Sequence, residues 1–471
     1  MKRFALPFLI AAFALMPGSA RADISNMDVG GDLFLLFYYG ENTDDFNDSL
    51  GEEVDFLRSE AHVWFKADLE DNVMVRISVE ADRAMESFSA VDGFDRAQSD
   101  LDVFLEEGFV KIANVYDSSL SFMAGRMFMN FGDNPHADNF NKWWGGSFWF
   151  GDGNPGSPQD LAQLGTWEID PFDAVVLEWD LDTAVIDAFY AQAVDDPGLT
   201  DMDLGSWGIN ASYTGIEGHQ LDGYFIFTDG DWSEAPAFIA PRGEIDHFLV
   251  GARLAGDLMT DTLSYKLEGA YNFGDIDDGG VPPLVVPTLA TRSGDFDGFG
   301  VEAGLNWHPE NEYNPDIGFI YTFLQGDGNN LGALDEDFDG ILLPYEGKTY
   351  GEIANSFVFS NAHVFHLTAG ADLNEQWSLS SDWYYLLLDE DVGNSATQLS
   401  LLPRPAWNVV RPEEDDELGW EWDLQLNYTF SEAVGAFAGG GVFWPGDAVE
   451  EMNGGDDDEA YFFRTGMKVT F

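Results

Sequence analysis

The chain of 471 residues has no cysteine, few basic residues and no long hydrophobic run beyond residue 22. The lack of cysteine excludes disulfide scaffolds and thiolate metal sites. Its 20 Lys and Arg stand against 86 Asp and Glu, and the net charge of −66 excludes binding to nucleic-acid phosphates. No segment after residue 22 could form an apolar helix that spans an inner membrane. The chain nevertheless buries apolar surface, because 45% of its residues are hydrophobic and 15% aromatic.

The N-terminus has the pattern of a secretory signal peptide. Two basic residues precede the apolar run FALPFLIAAFALM, and an A-x-A site ends at Ala22. The pattern predicts that residues 1–22 are removed, and that 23–471 form a single domain. The apolar run is shorter than the roughly 20 residues that a membrane-spanning helix needs, which argues against a retained anchor.

What the mature chain does contain is strict alternation of apolar and polar residues. About 18 stretches follow this period of two, and none shows sustained helical periodicity. In the hairpin from 57 to 82, Val63 and Val75 belong to the apolar set, whereas Arg58 and Arg76 belong to the polar set. Such alternation indicates β-strands with one apolar face.

The connections between these stretches alternate between long and short. Up-and-down strands with short turns at one end and long loops at the other are typical of bacterial outer-membrane barrels. The sheet must close, because lipid offers no partner for an unpaired backbone group. The sequence therefore predicts an all-β fold, a closed antiparallel transmembrane β-barrel of about 18 strands with short periplasmic turns and long extracellular loops. Its apolar face would contact the lipid and lipopolysaccharide of a Gram-negative outer membrane.

The chain ends on a strand of the same kind. In YFFRTGMKVTF, the residues Phe463, Met467, Val469 and Phe471 lie on one apolar face. A terminal Phe on such a strand resembles the signal that the barrel-assembly machinery of Gram-negative bacteria recognises. We therefore expect Phe471 to end the strand that closes the barrel.

One region carries a family resemblance. The segment FLEEGFVKIANVYDSSLSFMAGRMFMNFGD contains Leu105, Glu107, Phe109, Val110 and Lys111, followed by Gly125, Arg126, Gly132 and Asp133. It resembles the alginate-export family of porins, sharply over 55–133 and in architecture beyond. The resemblance implies an 18-stranded barrel that transports solutes. That family's exporter lines its pore with many bases to carry a polyanion, whereas this chain has few bases, which argues against alginate as the solute.

Parity along the strands also predicts which charges line the pore. The predicted pore-lining bases are Arg58, Lys66, Arg76, Arg126, Arg253, Lys266, Arg464 and Lys468. The principal predicted pore-lining acids are Glu302, Asp382, Glu421 and Asp423. Either these charges create an internal field across the pore, or they pair with neighbouring strands and hydrate the channel, which is the favoured interpretation. Most acids fall in the loops, so the outer mouth would be strongly negative.

The segment 132–170 is too long for a simple turn, and connections of this length are usually functional or disordered. Its aromatic content argues against disorder, and we expect it to fold into the barrel as a constriction loop. The alternative is a lid packed over the mouth. The aromatic residues concerned are Trp143, Trp144, Phe148 and Trp149.

A second loop motif matches the spacing of a calcium-binding loop. The stretch DEDFDGILLPYE places acidic side chains at alternate positions, followed by glycine at the sixth. Pro344 forbids the usual exiting helix, so a solvated loop without metal is the favoured interpretation. No other cofactor is predicted. The candidate Ca²⁺ ligands are Asp335, Asp337, Asp339 and Glu346.

The expected function is passive diffusion of small hydrophilic solutes through an outer-membrane porin. One alternative is a specific channel for export or uptake of an oligosaccharide, whose rings could stack on the aromatic loop. Another is an outer-membrane barrel that binds ligands at the cell surface or acts as an enzyme. No nucleophile motif or phosphate loop stands out, so an enzyme is not expected.

Overall fold

The computed structural model describes most of the strands and the shorter connections. The described residues are 26–43, 53–86, 102–129, 172–196, 202–231, 243–259, 262–278, 293–326, 350–354, 361–390, 415–452, 455 and 457–471.

Eighteen antiparallel strands form a single sheet, as the alternation predicts. They are β1 (Asn26–Glu41), β2 (Glu53–Glu70), β3 (Val73–Glu86), β4 (Asp102–Ile112), β5 (Leu120–Met127), β6 (Phe172–Asp180), β7 (Ala184–Asp196), β8 (Met202–Ile216), β9 (His219–Asp231), β10 (Gly243–Met259), β11 (Leu263–Asp278), β12 (Ser293–Trp307), β13 (Asp316–Leu324), β14 (Ala362–Asp372), β15 (Trp377–Leu388), β16 (Glu417–Ser431), β17 (Val434–Pro445) and β18 (Ala460–Thr470).

The sheet closes on itself between its first and last strands. Each strand pairs with its neighbours in sequence, and β1 also pairs with β18 over ten residue pairs, from Asp32 opposite Thr470 to Glu41 opposite Tyr461. The final residue extends this ladder, since the Gly31 amide donates to the Phe471 carbonyl at 3.0 Å and the Phe471 amide donates back at 2.9 Å. The predicted closed antiparallel barrel, with Phe471 at its seam, is confirmed.

Short turns join the strands at one end of the barrel. At two of these turns, Asp182 has a φ of 64° and Gly218 a φ of 73°, the left-handed conformation that tight turns use. The connections at the other end, apart from 197–201, are longer, and the last one contains the short helix α1 (Asp447–Met452). The short turns are 71–72, 113–119, 181–183, 217–218, 260–262, 308–315, 373–376 and 432–433.

The two faces of the wall differ as the parity predicts. Phe65 is 45% exposed and Phe463 46%, although both are large and apolar. Arg58, in contrast, is only 7% exposed and Glu80 only 3%. Charged groups therefore lie on the enclosed face and apolar groups on the outer face, which suits a barrel surrounded by lipid. No helix in the described part of the chain is long and apolar enough to cross a membrane.

Aromatic pairs mark both ends of the outer apolar band. On β15 and β16, Trp377 packs against Tyr428 with ring centroids 4.5 Å apart, and Tyr385 packs against Trp420 at 4.1 Å. The two pairs are about 27 Å apart along the tilted strand, at about 3.4 Å per residue. At a strand tilt of about 35–45°, this spacing corresponds to a height of about 19–22 Å, slightly less than the roughly 25 Å apolar band that aromatic girdles flank in outer-membrane barrels.

Candidate functional site in the barrel interior

Most of the predicted inward bases are paired with acids. The Arg76 Nε lies 2.5 Å from the Glu107 Oε2, and the Lys266 Nζ lies 2.7 Å from the Glu302 Oε1. Six of the eight predicted bases form such pairs. This supports the interpretation that the interior charges pair with their neighbours, and it argues against a row of unpaired positive charge. The other four pairs are Arg58–Glu60, Arg253–Asp222, Arg464–Glu352 and Lys468–Asp32.

One wall of the interior holds a deeply buried polar network. The Arg253 Nη1 donates to the Asp222 Oδ2 at 2.7 Å, and both residues are almost inaccessible to solvent. Beside them, the Tyr224 hydroxyl donates to the Glu268 Oε1 at 3.0 Å. A buried charge requires a partner, and these residues provide partners from strands β9 to β11.

On a different wall, part of the long β13–β14 connection is held against the strands. The backbone amides of Glu352, Ile353 and Ala354 donate to the Glu421 carboxylate at 2.6, 2.9 and 2.6 Å. Glu421 lies on β16 and is completely buried. Because hydrogen bonds to an ionised acceptor are strong, this carboxylate fixes the segment 350–354 against the inner wall.

The approach of this segment depends on a glycine. Gly351 has a φ of 102°, and a Cβ placed there would lie 2.5 Å from the Glu421 Oε2. Both the backbone conformation and the space exclude a side chain at this position. Gly351 therefore permits the three following amides to reach Glu421.

A stripe of glycine on β17 brings side chains of β16 and β18 together. Gly439 lies between Gln425 and Arg464 in the register, and the Arg464 Nη2 donates across it to the Gln425 Oε1 at 3.0 Å. Gly441 leaves similar space, since a Cβ there would lie 2.1 Å from Asp423 and 2.4 Å from Phe462. Between Phe437 and Phe443, the interior face of β17 thus carries no side chains and serves as a floor.

Above this floor is a cavity of about 290 Å³, here named the lumenal pocket. Strands β15, β16 and β18 form its walls, and the segment 350–354 forms one edge. Three carboxylates and a single base line it, together with two aromatic rings. The lining residues are Gly351, Glu352, Ser380, Asp382, Tyr384, Asp423, Leu424, Gln425, Phe462 and Arg464.

Contacts from neighbouring strands orient the lining side chains. The His366 Nε2 lies 2.8 Å from the Asp382 Oδ1, and the His366 ring stacks on Tyr384 with centroids 4.2 Å apart. The Arg464 Nη1 donates to the Glu352 Oε2 at 2.6 Å. Burial raises the pKa of the Glu352 carboxyl above its ordinary value, and the nearby Arg464 charge lowers it in part.

Four of the predicted pore-lining residues meet around this pocket. Asp382, Asp423 and Arg464 line it, and Glu421 anchors its edge. The remaining predicted residues lie elsewhere on the wall. Glu302, Arg253 and Lys266 belong to strands β10 to β12, Arg58, Lys66, Arg76 and Arg126 to strands β2, β3 and β5, and Lys468 to β18 near the short-turn end.

Sequence reasoning did not single out seven of the ten lining residues, among them Tyr384, Phe462 and Glu352. Tyr384 and Phe462 share the even parity of Asp382 and Arg464, so the alternation alone could have identified them. Glu352 carried no signal of its own, because it lies within a long connection that shows no period.

Two sets of predicted site residues lie outside the described part of the chain and remain predictions. One is the constriction loop with Trp143, Trp144, Phe148 and Trp149, and the other is the calcium motif with Asp335, Asp337, Asp339 and Glu346. Among the described residues, no group of three His, Asp or Glu side chains is placed to hold a metal ion.

Comparison with known proteins agrees with the architecture. The sequence profile described as Alginate export matches residues 28–463. The fold is similar to that of OccAB2 from Acinetobacter baumannii, with a TM-score of 0.53 and 12% identity over 96% of this chain and 99% of that one. It is also similar to OccAB4 from the same organism, with a TM-score of 0.52 and 10% identity over 96% of this chain and 100% of that one. A third similar structure is Pseudomonas aeruginosa OpdK with vanillate, with a TM-score of 0.50 and 12% identity over 94% of this chain and 98% of that one. No curated protein matches the sequence significantly.

Proposed function

We propose that this chain, which belongs to the alginate export family, is an outer-membrane channel through which small hydrophilic solutes diffuse. The observation that carries the proposal is the closed 18-stranded barrel with its charged face inside and its apolar face outside. Barrels of 16–18 strands are wide enough to enclose an aqueous channel, whereas eight strands are filled by their own side chains.

The interior features favour a narrow channel over a wide one. The segment 350–354 occupies space beside β16, where Glu421 holds its backbone. The predicted constriction by 132–170 would narrow the same barrel further. Both features favour selection of solutes by size and charge.

A specific uptake or export channel is the second candidate, and the lumenal pocket favours it. A pocket with ordered walls can hold a solute in passage, which unspecific diffusion does not require. The similar barrel OpdK was crystallised with vanillate, which is a carboxylate. The pocket of this chain is itself rich in carboxylates, so its solute would differ in charge.

The charges of the barrel interior give less support to transport of a polyanion. Six of the eight predicted inward bases form ion pairs, so they offer little free positive charge to a polymer of uronic acid. In the proposed setting, cleavage after residue 22 precedes assembly. The barrel-assembly machinery would engage the strand that ends at Phe471, and lipid and lipopolysaccharide would surround the barrel.

Swelling of liposomes tests the proposed function. The purified chain is reconstituted with an impermeant solute inside the vesicles and then diluted into isotonic arabinose, glucose, sucrose or raffinose. We expect swelling that slows steeply as the sugar becomes larger, because the interior is partly filled.

Vesicles that contain the heat-denatured chain provide the control for leakage. Swelling in arabinose no faster than in that control, with a barrel shown to be folded by its heat-modifiable migration on gels, would contradict the proposal.

A further inference from the structure

We propose that the lumenal pocket is a binding subsite for a small organic cation that carries an ammonium group. The inference rests on the proposed function, since a solute must first enter the barrel to reach the pocket.

The arrangement of charges is the first argument. Asp382 and Asp423 are directly opposite each other in the register of β15 and β16. The single base among the lining residues, Arg464, is already bound to Glu352 and Gln425. Two carboxylates side by side repel each other, and a bound cation would offset this repulsion.

Unsatisfied carboxylate oxygens are the second argument. The Glu352 Oε1 and the Asp423 Oδ1 are buried without a hydrogen-bond partner, and the Glu352 side chain is only 8% exposed. Buried acceptors without donors are costly, and an ammonium group brings three donors and no acceptor. The Arg464 Nε is also buried without a partner. An oxygen atom elsewhere on the same ligand could accept from it.

The third argument distinguishes an organic cation from a bare metal ion. No three acidic or histidine side chains of the described residues converge closely enough to coordinate a metal. The carboxylates are instead distributed around a cavity of about 290 Å³, near the roughly 300 Å³ lower end of ligand pockets. The rings of Tyr384 and Phe462 line the same cavity, and aromatic faces attract ammonium groups.

Block of single-channel current by 1,4-diaminobutane tests the inference. Potassium current through the reconstituted channel is recorded while the diamine is added, and the concentration that halves the current is measured. We expect the substitutions Asp382→Asn and Asp423→Asn together to raise this concentration about tenfold or more, because they remove both carboxylate charges that would accept charge-assisted hydrogen bonds from the ammonium group. The single substitution Asp382→Asn should raise the half-blocking concentration by a smaller factor. It provides the test if the double variant does not assemble.

Glu178→Gln is the matched control. Its side chain is 27% exposed, close to the 29% of Asp382, and β6 lies nine strands from β15 on the opposite wall. Block by the diamine should be unchanged in this variant. In a second arm, Mg²⁺ replaces the diamine at equal concentration and should block far less.

Three results would overturn the inference: equal block in the wild type and the variants, equal loss of block in the Glu178→Gln control, or block by Mg²⁺ as strong as by the diamine. Absence of potassium current altogether would instead contradict the proposed function. A channel that conducts without block would contradict only the subsite.

Discussion

Replacing Glu421 by Gln should release the segment 350–354 from the barrel wall. The carboxylate accepts three backbone hydrogen bonds, two at its Oε1 and one at its Oε2. A Gln side chain keeps one acceptor oxygen but presents an NH₂ group to the remaining amide. The segment would then lose the Ala354 bond and retain two weaker neutral ones.

The magnitude follows from the bond types. A hydrogen bond to a charged group contributes about 1.5–3 kcal/mol and a neutral one about 0.5–1.5 kcal/mol. Weakening two bonds by about 1 kcal/mol each and losing a third of about 2 kcal/mol reduces docking by about 4 kcal/mol. Each 1.4 kcal/mol changes an equilibrium constant about tenfold, so the equilibrium between the docked and the released segment shifts about 10³-fold towards release.

Hydrogen exchange measures this shift directly. The amides of Glu352, Ile353 and Ala354 should exchange about 10³ times faster in Glu421→Gln than in the wild type, because exchange follows local opening. The released segment should also make the single-channel current larger or noisier.

Glu302→Gln is the control, since Glu302 is another buried interior carboxylate with Thr322 as a donor. Its substitution should leave exchange in 350–354 unchanged. Unaltered protection of these amides in a folded Glu421→Gln barrel would refute the reasoning.

Three further predictions concern the mouth, the loops and pH. In a KCl gradient, reversal potentials should show weak to moderate cation selectivity at about 0.05 M that fades at about 1 M, because salt screens the charges of the predicted acidic mouth; anion preference at both strengths would contradict this. Deletion of 136–165 should raise single-channel conductance if that loop constricts the pore, whereas an unchanged conductance would mean that it is only a lid. Because burial raises the pKa of the docked Glu352 carboxyl, the contribution of this side chain to docking of 350–354 is fully present below its ordinary pKa of 4.5 and is lost as pH rises through the raised value. Single-channel noise measured across this range should increase with pH in the wild type, and should no longer do so in Glu352→Gln.

The alternation of residues predicted the wall of this protein almost completely. A strand between lipid and an enclosed interior must place apolar and polar side chains on opposite faces, so parity assigns each residue to a face. Phe65 and Arg58 illustrate this, as one is exposed outside and the other enclosed. The terminal Phe471 was likewise placed correctly at the seam. Closure followed from the physics of lipid, which leaves no backbone group unpaired.

Parity could not show which of the enclosed charges would meet. It placed Asp382, Glu421, Asp423 and Arg464 on the polar faces of their strands, but it could not assemble them into one pocket. Their proximity depends on the register between strands and on the side-chain space that Gly439 and its neighbours leave open on β17.

The sequence by itself determined the local pattern, namely strands, faces and the order in which neighbours pair, because each depends on residues close together in the chain. The tertiary structure alone decided that Ala354 reaches Glu421, 67 residues away, and that Glu352 reaches Arg464, 112 residues away. A segment without periodicity gives no sign of where it will dock. Its position is fixed only when the closed barrel presents a buried carboxylate to three free amides, since hydrogen bonding then satisfies both partners.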